Sequence, residues 1–232
     1  MKKIIIYDFD GTLTPYPLPK LEILKKCGLN DITTNHEFLK KVKEKSENEN
    51  IDTYLAMYQT LFEIINKSNI ELIDENLCLG SKDVEYNPGV FEFLDYLNKL
   101  NIKNYLVSSG LKPFLNNTDI AKKFTKIYAT TFKYQNNKII DIGYLMSDKK
   151  KVEAIKEIIR ENNTNPSNII YIGDGLSDYY AFEYIHKNNG TTILLQNHND
   201  INPLLEKVIS FKTTPDYSLN SKLYNYITNQ IS

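Results

Sequence analysis

Cysteine is scarce in the 232-residue sequence, and no apolar run is long. The two cysteines, Cys27 and Cys78, stand in no CxxC or CxxH spacing, which argues against a disulfide framework and against a zinc site. No segment approaches the roughly 20 consecutive apolar residues of a membrane-spanning helix. The apolar run after Lys2 and Lys3 imitates the start of a secretion signal, but Asp8 interrupts it. We therefore expect a cytoplasmic protein without a membrane partner.

An excess of charge of either sign is also missing. The formal net charge is -1, with 41% hydrophobic and 25% charged residues, so no overall field attracts nucleic acid. The length exceeds one typical domain and falls short of two, which fits a core domain carrying a smaller inserted one. We expect no nucleic-acid partner, and both a monomer and a homodimer stay open.

Strands and helices alternate over most of the chain. Four apolar runs lack polar alternation, as expected for strands buried on both faces of a parallel sheet: residues 3–7, 103–109, 168–174 and 190–195. Helical patterns separate them, one with Asn87 as N-cap and Pro88 at its first position, and one from residue 148. The alternation predicts an α/β fold with a doubly wound, Rossmann-like parallel sheet.

Two segments depart from this alternation. Residues 127–145 predict a short β-hairpin around Asn136 and Asn137. Between about residues 15 and 86, strand patterns vanish and helical periodicity dominates. The clearest helix there has Asp52 as N-cap and an apolar face of Leu55, Tyr58, Phe62 and Ile65. The sequence thus predicts an α/β core domain, residues 1–14 and 87–232, with a small helical domain, residues 15–86, inserted after the first strand.

Polar residues suited to catalysis stand at the ends of three of the predicted strands. The first strand ends in a segment with Asp8 and Asp10, the second ends in Ser108, Ser109 and Gly110, and the third ends at Asp174, with Asp178 one helical turn further on. Chemistry in parallel α/β sheets gathers at the carboxyl ends of the strands. Clustered aspartates are costly unless a cation lies among them. A few carboxylates with open positions for water and phosphate fit Mg²⁺ better than Ca²⁺.

Other phosphate and metal motifs do not fit. A calcium loop would need an acid at Thr12 and a glycine at Leu13, and a dinucleotide fingerprint would need a glycine where Asp178 stands. No GxxxxGK[ST] loop occurs, so a simple NTPase is not expected.

The residues at the strand ends supply what phosphoryl transfer to a carboxylate requires. Asp8 is the candidate nucleophile, and Asp10 is the candidate acid and base. Mg²⁺ held by Asp8, Asp174 and the backbone of Asp10 would neutralise the phosphate. The phosphate oxygens would be bound by hydroxyl and N–H groups of Ser108, Ser109 and Gly110. One lysine among residues 149–151 would place a further positive charge beside the phosphate.

Four motifs together resemble those of the haloacid dehalogenase-like hydrolase superfamily, in their usual order. They are DFDGTLT at 8–14, YLVSSG at 105–110, DKKKVEAI at 148–155 and IYIGDGLSD at 171–179. The resemblance implies a phosphoaspartate at Asp8 and a phosphate-binding lysine, for which Lys151 matches best. It also implies supporting roles for Asp178 and Thr12. The helical insertion and the hairpin are similar to the phosphoserine phosphatase-like branch, whose cap domain closes over the substrate.

Two departures from that branch concern the substrate. Phosphoserine-specific members carry an acid in the connector to the cap and an arginine in the cap. This chain has Pro17 at about the first position, and its one arginine, Arg160, lies in a predicted core helix. Lysine replaces a bidentate arginine clamp poorly, so phosphoserine is disfavoured and the substrate stays open. The cap aromatics Tyr16, Tyr54, Tyr58 and Phe62 are expected to be mostly cap core.

The leading hypothesis is a magnesium-dependent phosphatase that hydrolyses a small phosphorylated metabolite through a phosphoaspartate. A phosphomutase or phosphotransferase of the same superfamily is an alternative, because Asp10 would act as acid and base whether water or a second hydroxyl group accepts the phosphoryl group. A second class of hypothesis is a regulatory module that binds metal and phosphate without turnover. Hydrolysis of a generic aryl phosphate separates enzyme from module.

Overall fold

The computed structural model describes residues 2–15, 22–28 and 36–231. Among these residues, seven strands form one sheet: β1 Ile4–Tyr7, β2 Lys103–Leu111, β3 Lys126–Gln135, β4 Lys138–Tyr144, β5 Ile169–Gly173, β6 Thr191–Leu195 and β7 Phe211–Thr213. The strand order is β4-β3-β2-β1-β5-β6-β7, and all neighbours are parallel except β3 and β4. The predicted α/β fold with a mostly parallel sheet is confirmed.

Helices occupy both the predicted insertion and the crossovers of the sheet. Those in the described residues are α1 Glu22–Lys26, α2 His36–Glu49, α3 Thr53–Lys67, α4 Asp74–Leu77, α5 Val90–Lys99, α6 Lys112–Asn117, α7 Asp148–Glu161, α8 Tyr179–Lys187, α9 Pro203–Glu206 and α10 Lys222–Ile231. Helices α1 to α4 lie between β1 and α5, and we call residues 22–28 and 36–86 the helical segment. None of the described helices has the length and apolar character needed to cross a bilayer.

Both faces of the sheet are covered, which explains the unbroken apolar character of β1. Ile5 and Tyr7 belong to a cluster with apolar residues of α5 and α10, whereas Ile4 and Ile6 belong to a second cluster with residues of α7 and α8. Successive side chains of a strand point to opposite faces, so every residue of β1 is buried. The central strand is therefore fixed from both sides.

The predicted strand bounds hold closely, with two differences. Strand β2 continues to Leu111, two residues beyond its predicted end at residue 109, and β3 pairs with it past a shift in register. Strand β7 was not predicted, because three residues with a half-buried Phe211 are too short to show a pattern. The described sheet therefore has one parallel edge strand more than the sequence indicated.

The hairpin prediction is confirmed, and its turn explains its sequence. Asn136 and Asn137 have φ of 50° and 63°, the left-handed values that a two-residue turn of type I′ requires and that asparagine tolerates. The hairpin also packs on the helical segment. Tyr134 donates a hydrogen bond of 2.7 Å to Asp74, and the N–H of Ile139 donates one of 2.8 Å to Leu72.

The N-cap prediction is right for α3 and wrong for α5. The Asp52 side chain accepts a hydrogen bond of 2.8 Å from the N–H of Tyr54. In contrast, α5 begins at Val90 after Gly89, whose φ is 76°. The Asn87 amide instead donates to the carbonyls of two residues after β1, as described next. An N-cap pattern is local, so it does not predict hydrogen bonds to two carbonyls that are distant in the sequence.

Asn87 fastens the loop that follows β1. Its amide donates to the Thr12 carbonyl at 2.8 Å and to the Thr14 carbonyl at 3.1 Å, and its own N–H donates to Leu13 at 2.9 Å. The Tyr217 hydroxyl adds a bond of 3.2 Å to Thr12. The start of the core after the helical segment is thus tied to the end of β1.

We predict that Asn87→Ala lowers the free energy of unfolding by about 2 kcal/mol, because two buried carbonyls lose a donor. Denaturant unfolding measures the change. Asn225→Ala is the matched control, since that exposed amide donates to the Asn220 carbonyl at 3.0 Å and its loss should cost less than about 0.5 kcal/mol. Equal effects of the two substitutions would show that Asn87 does not fasten the loop.

Candidate active site

Asp8 stands at the carboxyl edge of the sheet, immediately after β1. Its N–H donates to the Ile172 carbonyl of β5 at 2.9 Å, so the sheet ladder holds the Asp8 backbone. The side chain is only 8% exposed. Its Oδ2 lies 3.1 Å from the Nζ of Lys151. A buried carboxylate at this edge therefore has one fixed cationic partner.

The chain turns sharply after Asp8. The Phe9 carbonyl accepts from the N–H of Leu13 at 2.8 Å, and Gly11 has a φ of 71°. A Cβ on Gly11 would lie 2.2 Å from Oδ2 of Asp174, so only glycine allows the turn to pass this close to that carboxylate. The turn carries Asp10 back towards the cavity beside Asp8. Within the described part of the chain, buried Oδ1 of Asp10 has no hydrogen-bond partner.

Lys151 is the lysine of helix α7 that reaches this site. Its side chain is 1% exposed and lies between two carboxylates, 3.1 Å from Asp8 and 2.7 Å from Asp178. Lys149 instead lies over the ring of Tyr180, and Lys150 pairs with Glu153. The geometry thus distinguishes among the three lysines that the sequence left open.

Asp178 is fully buried and serves as a hub of hydrogen bonds. One oxygen accepts from Lys151 and, at 2.6 Å, from the Tyr171 hydroxyl, and the other accepts from the N–H of Asp174 at 3.0 Å. A Cβ on Gly173 would lie 2.2 Å from Asp178 Oδ2, which explains the glycine there. Because both of its carboxylate oxygens accept hydrogen bonds, Asp178 orients Lys151, Tyr171 and the backbone of Asp174.

An acidic triad offers a place for a cation. Asp8, Asp174 and Asp178 each present an oxygen, and these oxygens lie within 4.8 Å of one another. With Asp178 committed to hydrogen bonds, Asp8 and Asp174 are the carboxylates with free capacity, and the partnerless oxygen of Asp10 lies close by. Hard oxygen donors of this kind suit Mg²⁺ or a similar hard divalent cation.

Burial and crowding raise the pKa of these carboxyl groups. For Asp8 the pKa rises to about 7, mainly through burial, although Lys151 opposes the rise. For Asp174 it rises to about 8, through burial and the charges of Asp178 and Asp8. Burial followed by the charge of Asp8 also raises the pKa of Asp10 well above its usual range. Full ionisation of the cluster near neutral pH therefore calls for a cation.

The end of β2, where its pairing with β3 shifts register, carries small polar residues that line the same cavity as Asp8. Ser108 is buried, and its Oγ accepts a hydrogen bond of 3.0 Å from the N–H of Gly110. The Ser109 carbonyl accepts from Thr130 at 3.1 Å and from Tyr58. Buried Oγ of Ser109 has no partner among the described residues. We call residues 108–110 the phosphate loop, after their predicted role.

These groups surround one cavity of about 270 Å³. Its lining consists of Asp8, Asp10, Tyr54, Met57, Tyr58, Ser108, Ser109, Gly110, Lys151, Asp174 and Ser177. The strand ends of the sheet form the floor, and one face of α3 forms the roof. Two predicted supporting residues, Thr12 and Asp178, are buried behind the floor and do not line the cavity.

The structure brings together most of the residues singled out in the sequence. Tyr54 and Tyr58, expected to be mostly core, line the cavity, whereas Phe62 packs on Phe132 of the hairpin. Arg160 is exposed on α7. Pro17 and Tyr16 lie outside the described residues.

Sequence reasoning missed three residues at or beside the cavity. Met57 lines the roof, and its position three residues after Tyr54 was a usable signal, because such residues share a helix face. Ser177 lies within the fourth motif. Gln196 directly follows β6, and its amide donates to the Asp174 carbonyl at 3.3 Å. The strand-end rule would have identified Gln196 had it been applied to the fourth predicted strand.

The chain is similar in sequence and in fold to known proteins. The family model described as haloacid dehalogenase-like hydrolase matches residues 5–183. An uncharacterized protein of Borreliella burgdorferi is 25% identical over 98% of this chain and 95% of its own length. The phosphoserine phosphatase of Archaeoglobus fulgidus is 20% identical over 78% of this chain, and the match spans half of that protein.

A solved structure of a substrate-bound phosphoserine phosphatase has the same fold. It superposes with a TM-score of 0.67 at 20% identity, covering 100% of this chain and 99% of that one. At this level of identity the likeness is one of fold, and it agrees with the fold class predicted from the sequence.

The raised pKa values predict a metal-dependent pH profile of stability. In the folded state Asp8 and Asp174 hold their protons up to a pH of about 7 and about 8, whereas in the unfolded chain aspartate has a pKa of about 3.9. Their contribution is therefore fully present at low pH and is lost as the pH rises through these values. We expect the protein in EDTA to lose thermal stability between pH 5.5 and pH 8.5, and Mg²⁺ to offset the loss.

Thermal unfolding at both pH values, with EDTA or Mg²⁺, makes the measurement. Asp174→Asn is the control, because it should flatten the pH dependence in EDTA and abolish the stabilisation by Mg²⁺. If wild type and Asp174→Asn shift in parallel with pH and metal, the acidic triad does not bind the cation.

Proposed function

Because the chain belongs to the haloacid dehalogenase-like hydrolase family, we propose that it is a magnesium-dependent phosphatase acting on a small phosphorylated metabolite. The observation that carries the proposal is the shared cavity. Asp8 and Asp10 face the phosphate loop across it, and Lys151 is ion-paired with Asp8. Two of the matched proteins are phosphoserine phosphatases, which supports phosphate chemistry. We also propose a cytoplasmic location.

Mg²⁺ would be held by the carboxylates of Asp8 and Asp174 together with the backbone of Asp10. When bound, it would neutralise negative charge on the carboxylates and on the phosphate. The free capacity of Asp8 and Asp174 supports this assignment. Asp178 would orient the set through Lys151 and the N–H of Asp174.

Asp8 is the proposed nucleophile. One of its carboxylate oxygens attacks phosphorus, the bond to the ester oxygen breaks, and the phosphoryl group becomes attached to Asp8. Lys151 faces the other oxygen at 3.1 Å and favours the ionised form that attacks. The Ser108 hydroxyl and the N–H groups of the phosphate loop would bind the non-bridging oxygens.

Asp10 is the proposed acid and base. Its raised pKa keeps a proton on the carboxyl group in its buried position, and this proton goes to the departing alkoxide. The resulting carboxylate then takes a proton from water, whose oxygen attacks phosphorus and releases Asp8 with inorganic phosphate. The two steps together consume one water and return both aspartates to their starting states.

The helical segment supports the role of a cap. Tyr54 donates to Asp148 at 2.9 Å and Tyr58 donates to the Ser109 carbonyl, so α3 is joined to the core on two sides of the cavity. We propose that residues 15–86 form a cap domain on a core of residues 1–14 and 87–232. This arrangement would exclude water during the first step.

We expect purified protein with Mg²⁺ to release phosphate from p-nitrophenyl phosphate, and EDTA to stop the release. Asp8→Asn should lower turnover to the background, because the nucleophile is lost. Asp10→Asn should lower kcat by about 100- to 10,000-fold, the usual contribution of an acid or base. Phosphate release and burst kinetics measure these effects.

Asp141→Asn is the matched control, because Asp141 is an exposed aspartate on the hairpin that pairs with Lys133, and its activity should equal that of wild type. Unchanged turnover in Asp8→Asn would show that Asp8 is not the nucleophile. Magnesium-dependent binding of phosphate esters without turnover would favour the regulatory module. Transfer to a second hydroxyl in place of water would favour a mutase or phosphotransferase.

The cavity disfavours a substrate with a carboxylate. Asp8, Asp10 and Asp174 make the floor acidic, and the one cation that the described residues contribute to the lining, Lys151, already pairs with two carboxylates. The roof contributes tyrosine rings and Met57. Such a lining favours a neutral or amine-bearing alcohol over an anionic one.

O-phosphoethanolamine and O-phosphoserine test this preference, since they differ only in a carboxylate. We expect kcat/KM to be at least about tenfold higher for O-phosphoethanolamine, because like charges in a buried site are costly. Steady-state phosphate release under identical Mg²⁺ concentrations gives the ratio. A preference for O-phosphoserine would mean that other residues supply the carboxylate site.

A further inference from the structure

The Ser109 carbonyl is held by two hydroxyl groups from different parts of the molecule. Thr130, a buried residue of β3, donates to it at 3.1 Å, and Tyr58 of α3 donates to it as well. The Thr130 hydroxyl oxygen accepts from the N–H of Met146 at 3.2 Å. Because a carbonyl oxygen only accepts hydrogen bonds, Thr130 is the donor in its contact with Ser109.

Fixing this carbonyl also fixes the phosphate loop. The carbonyl of Ser109 and the N–H of Gly110 belong to one planar peptide and point in opposite directions. That N–H donates to Oγ of Ser108 at 3.0 Å. The hydroxyls of Thr130 and Tyr58 hold the carbonyl side of this peptide and thereby set the position of the Gly110 N–H, which holds Ser108. The buried Ser109 hydroxyl lies at the cavity wall.

The two donors differ in what they depend on. Thr130 belongs to the sheet and keeps its place whatever the helical segment does. Tyr58 belongs to the roof, and its hydroxyl reaches Ser109 only while α3 is seated on the core. The residue is 3% exposed, so its hydroxyl has no bulk water as a substitute partner in this position.

Building on the proposed function, we propose that Tyr58 is a positioning residue that couples the seating of α3 to phosphate binding. Its hydroxyl and that of Thr130 together hold the Ser109 peptide, and through it Ser108, in the geometry that binds phosphate. Closure of the roof therefore completes the phosphate loop as well as covering the substrate. Tyr58 therefore affects binding of the phosphate group, and this effect is independent of the leaving group.

Tyr58→Phe is the test, because it keeps the ring in the roof and removes the donor. With Mg²⁺ present, we expect the dissociation constant of inorganic phosphate to rise about fivefold, roughly the effect of one hydrogen bond. Isothermal titration calorimetry measures it directly. The KM values for two esters with different leaving groups should rise by the same factor.

Tyr134→Phe is the matched control. The Tyr134 hydroxyl also joins the sheet to the helical segment, through Asp74 at 2.7 Å, but it does not contact the phosphate loop. Phosphate affinity should therefore stay at the wild-type value. If both tyrosine variants weaken phosphate binding equally, or if Tyr58→Phe leaves it unchanged, the proposal is overturned.

Thr130→Val completes a double-mutant cycle with Tyr58→Phe. If both hydroxyls act through the Ser109 carbonyl, their effects on phosphate affinity are non-additive, whereas independent roles give additive effects and contradict the coupling. Thr130→Ser should restore the affinity, because it retains the hydroxyl. Since phosphate binding is measured without turnover, absence of hydrolysis by the wild type would refute the proposed function and leave this comparison intact.

Discussion

The charge of Lys151 is the constraint on which the rest of the site depends. Burial lowers the pKa of this ammonium group, but the carboxylates of Asp178 and Asp8 more than offset that effect, so it stays charged. A buried charge is tolerated only when it is paired and hydrogen-bonded. Lys151 therefore requires Asp8 at the end of β1 and Asp178 after β5, and Asp178 in turn fixes Asp174. One cation from α7 thus sets the relative positions of three aspartates.

The close approach of these aspartates leaves no space for ordinary side chains nearby. Gly11 and Gly173 stand where a Cβ would lie 2.2 Å from a carboxylate oxygen of Asp174 or Asp178. The resulting cluster holds more negative charge than Lys151 balances, which the raised pKa values express. The two glycines and the need for a cation besides Lys151 are therefore two consequences of the same crowding of aspartates.

Local sequence patterns predicted those features that local physics determines. Apolar runs without polar alternation identify four strands, and the rule that chemistry gathers at strand ends groups Asp8, Ser108 and Asp174 from the sequence alone. Asn87 shows the limit, because its residue type fits an N-cap while its amide bonds carbonyls about 75 residues earlier. Helical periodicity likewise places Tyr58 on the apolar face of a helix and does not predict its hydrogen bond to the Ser109 carbonyl.

The roof explains why the sequence determines the reaction more firmly than the substrate. Tyr54 and Tyr58 both direct their hydroxyls to the core, to Asp148 and to the Ser109 carbonyl. Their contribution to the cavity is therefore mainly ring surface, next to Met57. Such a surface selects by shape and contact and contributes few directional bonds. The floor, in contrast, presents charges and donors in fixed positions, so under the proposed function recognition of the leaving group depends on the less directional half of the site.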